Sequence, residues 1–260
     1  MSAKMVNFRL YRVKSSLYII FSIGVISSIW LVFVPAYGVE LYSKDESPFG
    51  ISNSDWVAKF WTWNFILPGD PNTNQITGLK ENGCLIHKEN SMVMLPDTSV
   101  GGIWNQNCTI SRNDGILIPI WTGECNAGEK DCLGFTFEEL SKAARNFDLG
   151  QINGMVKVDN IPIAELDVLD YKNNKMNNVT EVYTKQFNAT IPIDSRMITE
   201  EENYGKTFPG AAHGWFVFLK PLQAGNHTVY YQNKVTDPTA TDTLAANVNT
   251  GQFTYRFMVE

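Results

Sequence analysis

The chain has 260 residues, a formal net charge of −6 and a pI near 5.2. These values argue against a nucleic-acid partner, because a phosphate backbone is bound by clustered Lys and Arg and the only basic cluster lies at the extreme N-terminus. A hydrophobic content of 44% argues against a disordered chain, and the many Asn, Thr and Gly residues favour short strands joined by turns.

The N-terminal segment, residues 1–38, has the layout of a signal peptide or a membrane anchor. Four basic residues, Lys4, Arg9, Arg12 and Lys14, precede an 18-residue apolar run from Leu17 to Val34, and small residues follow at Ala36 and Gly38. The run covers roughly 27 Å as a helix, against a hydrocarbon core of about 30 Å. Cleavage and retention therefore both stay open, and both place the remainder outside the cell. We expect the membrane to be a partner through this segment.

The four cysteines all lie in the exported part, and none has C-x-x-C spacing. An even number of such cysteines predicts disulfides, and three connectivities are open for four of them. We expect nearest neighbours to pair, Cys84 with Cys108 and Cys125 with Cys132. The loops would contain about 25 and about 8 residues, and the chain-entropy relation gives them roughly 3.5 and 2.5 kcal/mol.

Four N-x-S/T sequons could carry glycans after export, and they begin at Asn107, Asn178, Asn188 and Asn226. We expect Asn178 and Asn226 to be the best acceptors, because Asn107 adjoins a cysteine.

After a polar linker, residues 39–53, the pattern from Ser54 to Leu67 predicts a helix that ends before Pro68 and Gly69. Trp56, Phe60 and Trp63 follow one face of it, and Trp61 broadens the stripe. This face either packs on a sheet or, with Trp56 and Trp61, forms an aromatic platform for sugars or a protein partner.

Short strands fill most of the remaining chain. Asn113, Asp114 and Gly115 predict a tight hairpin turn between the strands on either side, and Asp159 and Asn160 predict another. Thr136 and Glu139 form a capping box that opens a second helix ending near Phe147. Residues 252–259 alternate between apolar and polar, as in a sheet with one buried face. The predicted fold is mainly β, a β-sandwich or jelly-roll-like domain over residues 54–260 with two short helices and a preceding hydrophobic helix.

Candidate chemistry is sparse in this sequence, and we predict no catalytic residue, cofactor or metal. Cys84, His87, Met92 and Met94 form a conceivable copper set, but the cysteine is expected to be oxidised. His213 and His227 are expected to be surface imidazoles. An acidic run, Glu200, Glu201 and Glu202, lies in the polar segment 194–210 and could join Asp167 or Asp170 as the paired carboxylates of a glycosidase.

Two stretches resemble a known family. Trp56 to Trp63 with Pro68, Gly78, Cys84 and Cys108 looks like the N-terminal half of uncharacterised exported proteins of soil bacteria and ammonia-oxidising archaea. Residues 214–222 with 225–229 resemble the closing hairpin of that family. The family has no assigned reaction, so the resemblance implies export and a β-sandwich fold and no chemistry.

The sequence thus predicts an exported domain, anchored or secreted, at the cell surface. Its role is expected to be structural or to consist of binding a carbohydrate or protein. The alternatives are an exported carbohydrate-active enzyme and an accessory subunit of a membrane complex.

Overall fold

A computed structural model describes residues 38–67, 69–70, 75–76, 80, 82–97, 102–146, 151–168, 174–193, 201–236 and 250–260. The predicted signal peptide or anchor lies outside the described residues up to Tyr37. Within the described part, no helix has the length and apolar character needed to cross a membrane. The elements, in chain order, are α1 (Asn53–Phe65), β1 (Gly69–Asp70), β2 (Gln75–Ile76), β3 (His87–Glu89), β4 (Met92–Met94), β5 (Gly102–Ile110), β6 (Gly115–Asn126), α2 (Phe137–Asn146), β7 (Gln151–Val158), β8 (Ile161–Val168), β9 (Asn174–Asn177), β10 (Thr180–Tyr183), β11 (Phe187–Thr190), β12 (Thr207–Leu219), β13 (Gly225–Thr236) and β14 (Thr250–Val259).

The fold is mainly β, as predicted, and it is built from two six-stranded sheets. In sheet I the strand order is β10, β12, β6, β4 and β3, and β11 also pairs with β12. In sheet II the order is β5, β14, β13, β7, β8 and β9. The strands β1 and β2 form a separate small sheet.

One apolar core joins the two sheets. The predicted alternation in β14 is confirmed, because Phe253, Tyr255, Phe257 and Val259 are all buried while Arg256 is exposed. Close packing of the sheets depends on Gly154 of β7, where a Cβ would lie 2.1 Å from the side chain of Ile120. Ile120 is itself a bulge in β6, because Trp121 pairs with Trp215 of β12 and Pro119 pairs with the next residue, Phe216, which leaves Ile120 without a counterpart in the register.

Both predicted helices are confirmed, and each begins at a side-chain cap. Ser52 accepts a hydrogen bond from the Asp55 backbone N–H at the start of α1, and the Glu139 carboxylate accepts from the Thr136 backbone N–H before α2. The segment 39–53 was predicted to be a linker, but the structure places it on the domain. Leu41 bridges to Leu219 at the end of β12, because its apolar side chain packs on the core.

One of the two predicted hairpins is confirmed. The β7 and β8 strands pair across Asp159 and Asn160, which both have the positive φ that such a turn requires. The turn before Gly115 does not form a hairpin, because β5 runs parallel to β14 in sheet II while β6 lies in sheet I. Asp114 is instead buried against Lys88, with 2.8 Å between carboxylate and ammonium. The strands around residues 220–224 likewise belong to different sheets.

Candidate functional site

The predicted aromatic platform is wrong, and the alternative of packing on a sheet is confirmed. Trp56 and Trp61 are 0% and 2% exposed, so neither ring can meet a sugar or a partner. The Trp56 indole N–H donates to the Pro48 carbonyl at 2.9 Å, and that of Trp61 donates to the Thr122 hydroxyl at 3.0 Å. Large aromatic side chains bury more apolar area than any others, which explains why this face lies on sheet I.

The predicted carboxylate set does not come together in the described part of the chain. Glu201 and Glu202 are exposed in a short 3-10 helix on the connection between β11 and β12 of sheet I. Asp167 lies on β8 of sheet II, where its carboxylate accepts from the Asn153 amide at 2.7 Å. Glu200 and Asp170 lie outside the described residues. The geometry of Glu201, Glu202 and Asp167 therefore gives the glycosidase hypothesis no support.

The cysteine sulfurs form the two expected disulfides, Cys84 with Cys108 and Cys125 with Cys132. Oxidation removes the Cys84 thiolate that the copper set would need. Cys125, Glu129 and Cys132 also place one potential ligand atom each within 4.8 Å, but here too both sulfurs are bonded to each other. Two such bonds indicate an oxidising, extracellular-type environment.

The second disulfide holds an exposed apolar segment that the sequence analysis missed. Leu133, Phe135 and Phe137 are 67%, 38% and 40% exposed, and all three lie in the five residues that follow Cys132. We call Leu133 to Phe137 the apolar segment. Soluble domains expose single apolar side chains often, but three neighbouring ones are typical of an interaction surface.

The apolar segment is fixed at both of its ends. Before it, the Asn126 side chain donates to Glu129 at 2.7 Å and accepts from the Gly128 backbone N–H at 2.9 Å, inside the disulfide loop. At its C-terminal end, the hydroxyl of Thr136, within the segment, donates to Glu139 at 2.8 Å in the capping box. A segment that is already ordered loses little entropy on binding, which favours affinity.

The helix α2 is itself held on sheet I by small and apolar side chains. Leu140 and Ala144 are buried together with Ala211 of β12 and with both cysteines of the second disulfide. The helix covers the face of β12 opposite to the one that carries Phe216, since residues 211 and 216 point to opposite sides of a strand. The apolar segment is therefore presented at the N-terminal end of a packed helix.

Near the C-terminal end of α2 lies a polar cluster that we call the His213 cluster. His213 is fully buried, and its Nε2 lies 2.9 Å from the Glu181 carboxylate, which also accepts from the Tyr183 hydroxyl at 3.0 Å. The Arg145 guanidinium of α2 stands 5.7 Å above the Tyr183 ring. The expectation of a surface imidazole is wrong for His213, because the carboxylate satisfies its ring inside the fold.

The electrostatics of the His213 cluster favour a charged carboxylate. The hydrogen bond from His213 holds the pKa of Glu181 below its ordinary value, against the effect of burial, and Tyr183 and Arg145 lower that pKa further. The ring of His213 also contacts Tyr183 and Trp215, with centroids 4.2 and 4.8 Å apart. The cluster fastens β10 to β12 and lies under α2. The His213 ring itself is 0% exposed, so it is not presented to solvent.

His227 lies in sheet II, away from His213 of sheet I. Its Nδ1 is 2.7 Å from the Asp159 carboxylate and its Nε2 is 3.0 Å from the Gln223 carbonyl. These contacts tie the β7–β8 turn to the connection between β12 and β13. The two histidines do not converge on a site.

The sequons occupy four different settings. Asn107 and Asn226 are exposed on β5 and β13 of sheet II, and Asn188 is exposed on β11 of sheet I. Asn178 is exposed next to the end of β9, with a positive φ, and Thr180 of its sequon is buried.

The sequence matches no protein-family profile, and no curated protein is significantly similar to it. The family resemblance therefore stays a prediction. Two similar solved structures are a cysteine protease inhibitor, EhICP2, from Entamoeba histolytica and the solution structure of amebosin. The first is 12% identical over 65% of this chain and 96% of its own, with a TM-score of 0.21. The second is 9% identical over 61% and 96%, with a TM-score of 0.19. Scores this low assign no function.

Proposed function

We propose that this protein is an exported extracellular binding domain, anchored or secreted through its N-terminal segment, which docks on a protein partner through the apolar segment. The observation that carries the proposal is the exposure of Leu133, Phe135 and Phe137 on a loop closed by a disulfide. Exposed apolar side chains reduce solubility and add little to stability, so a fixed cluster of them is best explained by a surface that they contact.

The charges around the apolar segment favour a protein over an anionic membrane surface. Exposed carboxylates at Asp131 and Glu138 alternate with exposed cations at Lys130, Lys142 and Arg145. Anionic lipids attract segments with an excess of Lys and Arg, whereas a mixed rim around an apolar centre is typical of protein interfaces. Three side chains form only the centre of a standard interface, which buries about 800 Å² per partner, so we expect a transient contact.

Site-specific photo-crosslinking tests this proposal on the full chain in cells that export it. A benzophenone amino acid replaces Phe137 in one protein and Ile161 in another. Ile161 is the matched control, because it is apolar and 62% exposed but lies at the start of β8 in sheet II. We expect a discrete crosslinked protein from position 137, absent from position 161 and abolished by the second-site change Leu133→Ser.

The identity of the crosslinked product separates the alternatives. An integral membrane protein would support the accessory-subunit alternative, in which the apolar segment is the contact to the complex. No product at position 137, together with Phe137-dependent retention of the purified protein on a polysaccharide matrix, would replace the protein partner by a carbohydrate. Equal amounts of crosslinked protein from positions 137 and 161 would contradict the proposal that the apolar segment is the docking surface.

Export is tested separately from docking. Intact mass and N-terminal sequencing of the protein recovered from membrane and medium fractions show whether the N-terminal segment is removed. We expect a mass that corresponds to two disulfides, in either fraction. Four free thiols on a cytosolic product would contradict the proposal.

A further inference from the structure

We infer that Asn107 and Asn226 carry N-linked glycans that stand side by side on the outer face of sheet II, and that this face is not the one that meets the partner. The outer face is the side of β5, β14 and β13 that is exposed to solvent. It presents Asn107 and Thr109 on β5, and Asn226 and Thr228 on β13.

Strand geometry turns each of these sequons outward as a unit. The asparagine and the threonine of a sequon are two residues apart, so in a strand both side chains leave the same face. Asn107, Thr109 and Asn226 are exposed, and Thr228 is half-buried. The middle residues point the other way, where Cys108 forms its disulfide with Cys84 and His227 bonds to Asp159. The cysteine that made Asn107 a poor candidate by sequence is thus directed away from the glycan.

The two sequons lie close enough to act as one modified area. Asn107 pairs with Arg256 of β14, while Asn226 pairs with Met258 two residues further along the same strand. Two strand spacings of about 4.8 Å and an offset of two residues separate the asparagines by about 12 Å. An open depression of about 410 Å³, lined by both asparagines and both threonines, lies between them. The folded domain therefore has room for a sugar chain at each site.

The modification itself needs a lipid-linked oligosaccharide phosphate as donor and a membrane transferase. The asparagine Nδ2 bonds to the anomeric carbon of the sugar, the bond from that carbon to the phosphate oxygen breaks, and one Nδ2 proton passes to a base of the transferase. The lipid phosphate is the leaving group, and nothing is oxidised or reduced.

Asn178 differs from these two sites. Its Nδ2 donates to the Ile163 carbonyl at 2.8 Å, a shorter bond than the 3.4 Å from the Asn107 Nδ2 to the Asn82 carbonyl. The hydroxyl-bearing Thr180 of its sequon is buried in sheet I, whereas Thr109 is exposed. We therefore infer Asn107, and not Asn178 as the sequence suggested, to be the second glycan acceptor beside Asn226. Asn188 lies on β11 of sheet I, outside the modified face.

Intact mass spectrometry of the secreted protein tests the inference. The full chain, with an established secretory signal peptide added before Met1, is produced in cultured eukaryotic cells and weighed before and after enzymatic removal of N-glycans. We expect Asn107→Gln and Asn226→Gln each to lose one glycan relative to the wild type, and Thr109→Val and Thr228→Val to reproduce those losses. Asn105→Gln is the matched control, because Asn105 lies on the same strand in no sequon.

Thiol counting on the same samples confirms that each variant retains both disulfides and is folded. A secreted, disulfide-bonded wild type whose mass does not change on deglycosylation contradicts the inference, and so does a mass that only Asn178→Gln or Asn188→Gln lowers. The photo-crosslink from position 137 is a separate result: glycans without a crosslink contradict the docking proposal alone, and a crosslink without glycans contradicts this inference alone.

Discussion

The two helices pack on opposite faces of sheet I, yet they differ in nearly every respect that bears on function. α1 buries Trp56, Phe60 and Trp61, and the edge of the Phe60 ring meets Phe216 of β12 at 5.7 Å between centroids. Among the α2 side chains whose burial the structure describes, only Leu140 and Ala144 are buried, and they pack with the two cysteines of the second disulfide. The difference shows that the aromatic residues of α1 contribute to the core, whereas the proposed binding surface lies where apolar side chains next to α2 stay exposed.

The largest expected effect on stability tests whether the aromatic face of α1 is part of the core. Trp61→Ala removes a fully packed indole and its hydrogen bond to Thr122, so we expect a loss of about 3 to 5 kcal/mol in the free energy of unfolding. Chemical denaturation followed by circular dichroism measures it. Thr62→Ala changes the exposed neighbour and serves as the control. An unchanged free energy in Trp61→Ala would mean that the stripe is not part of the core.

The next largest effect is the stability lost when either disulfide is removed, and it should differ between the two. The Cys84→Ser/Cys108→Ser pair opens a loop of about 25 residues, and Cys125→Ser/Cys132→Ser opens one of about 8, so losses of about 3.5 and about 2.5 kcal/mol are expected in the chain-entropy relation. Hydrogen exchange locates the damage. We expect the α2 amides to exchange faster in the second pair while the α1 amides stay protected. Equal acceleration of both helices would show that α2 is no less integrated than α1.

A smaller effect concerns the His213 cluster beside α2. Glu181→Gln replaces a carboxylate that accepts two hydrogen bonds, and we expect a loss of roughly 1 kcal/mol at pH 7. The folded-state pKa of Glu181 lies below its ordinary value of 4.5, so its contribution is fully present above pH 4.5 and is lost as the pH falls through the folded-state pKa.

Denaturation of wild type and Glu181→Gln at several pH values checks the direction of this pH dependence. The difference in the free energy of unfolding between the two proteins should be constant from pH 7 to 5 and should shrink at lower pH. A difference that grows on acidification would mean that the protonated carboxyl is the favoured form.

Much of this fold could be predicted because its signals are local. The helix cap at Thr136, the Asp159 and Asn160 turn and the period of two in β14 depend on neighbouring residues alone. The disulfide pairing followed from sequence separation in the same way. The hairpin predicted at the turn before Gly115 was wrong, because turn residues bend the chain without specifying which sheet receives the next strand. Here β5 and β6 belong to different sheets.

The apolar segment could not be predicted from the sequence for a related reason. Exposure of Leu133, Phe135 and Phe137 follows from where α2 docks, which depends on Ala211 some 70 residues away and on the second disulfide. The only local signal was three apolar residues at alternate positions, which start directly after a cysteine and end inside the capping box. Conversely, the buried state of His213 depends on Glu181, which β10 brings next to β12 only in the folded sheet.

The smallest expected effect on stability tests most directly whether the apolar segment next to α2 lies outside the core. Leu133→Ser and Phe137→Ser alter exposed side chains, so each should change the free energy of unfolding by no more than about 0.5 kcal/mol, as should Ile161→Ser at the start of β8. Denaturation of the three variants in parallel measures this. Because we propose that the apolar segment contacts a partner, only the first two should also lose the crosslink. A loss of about 2 kcal/mol or more in either of them would return the segment to the core and leave α2, like α1, with a structural role alone.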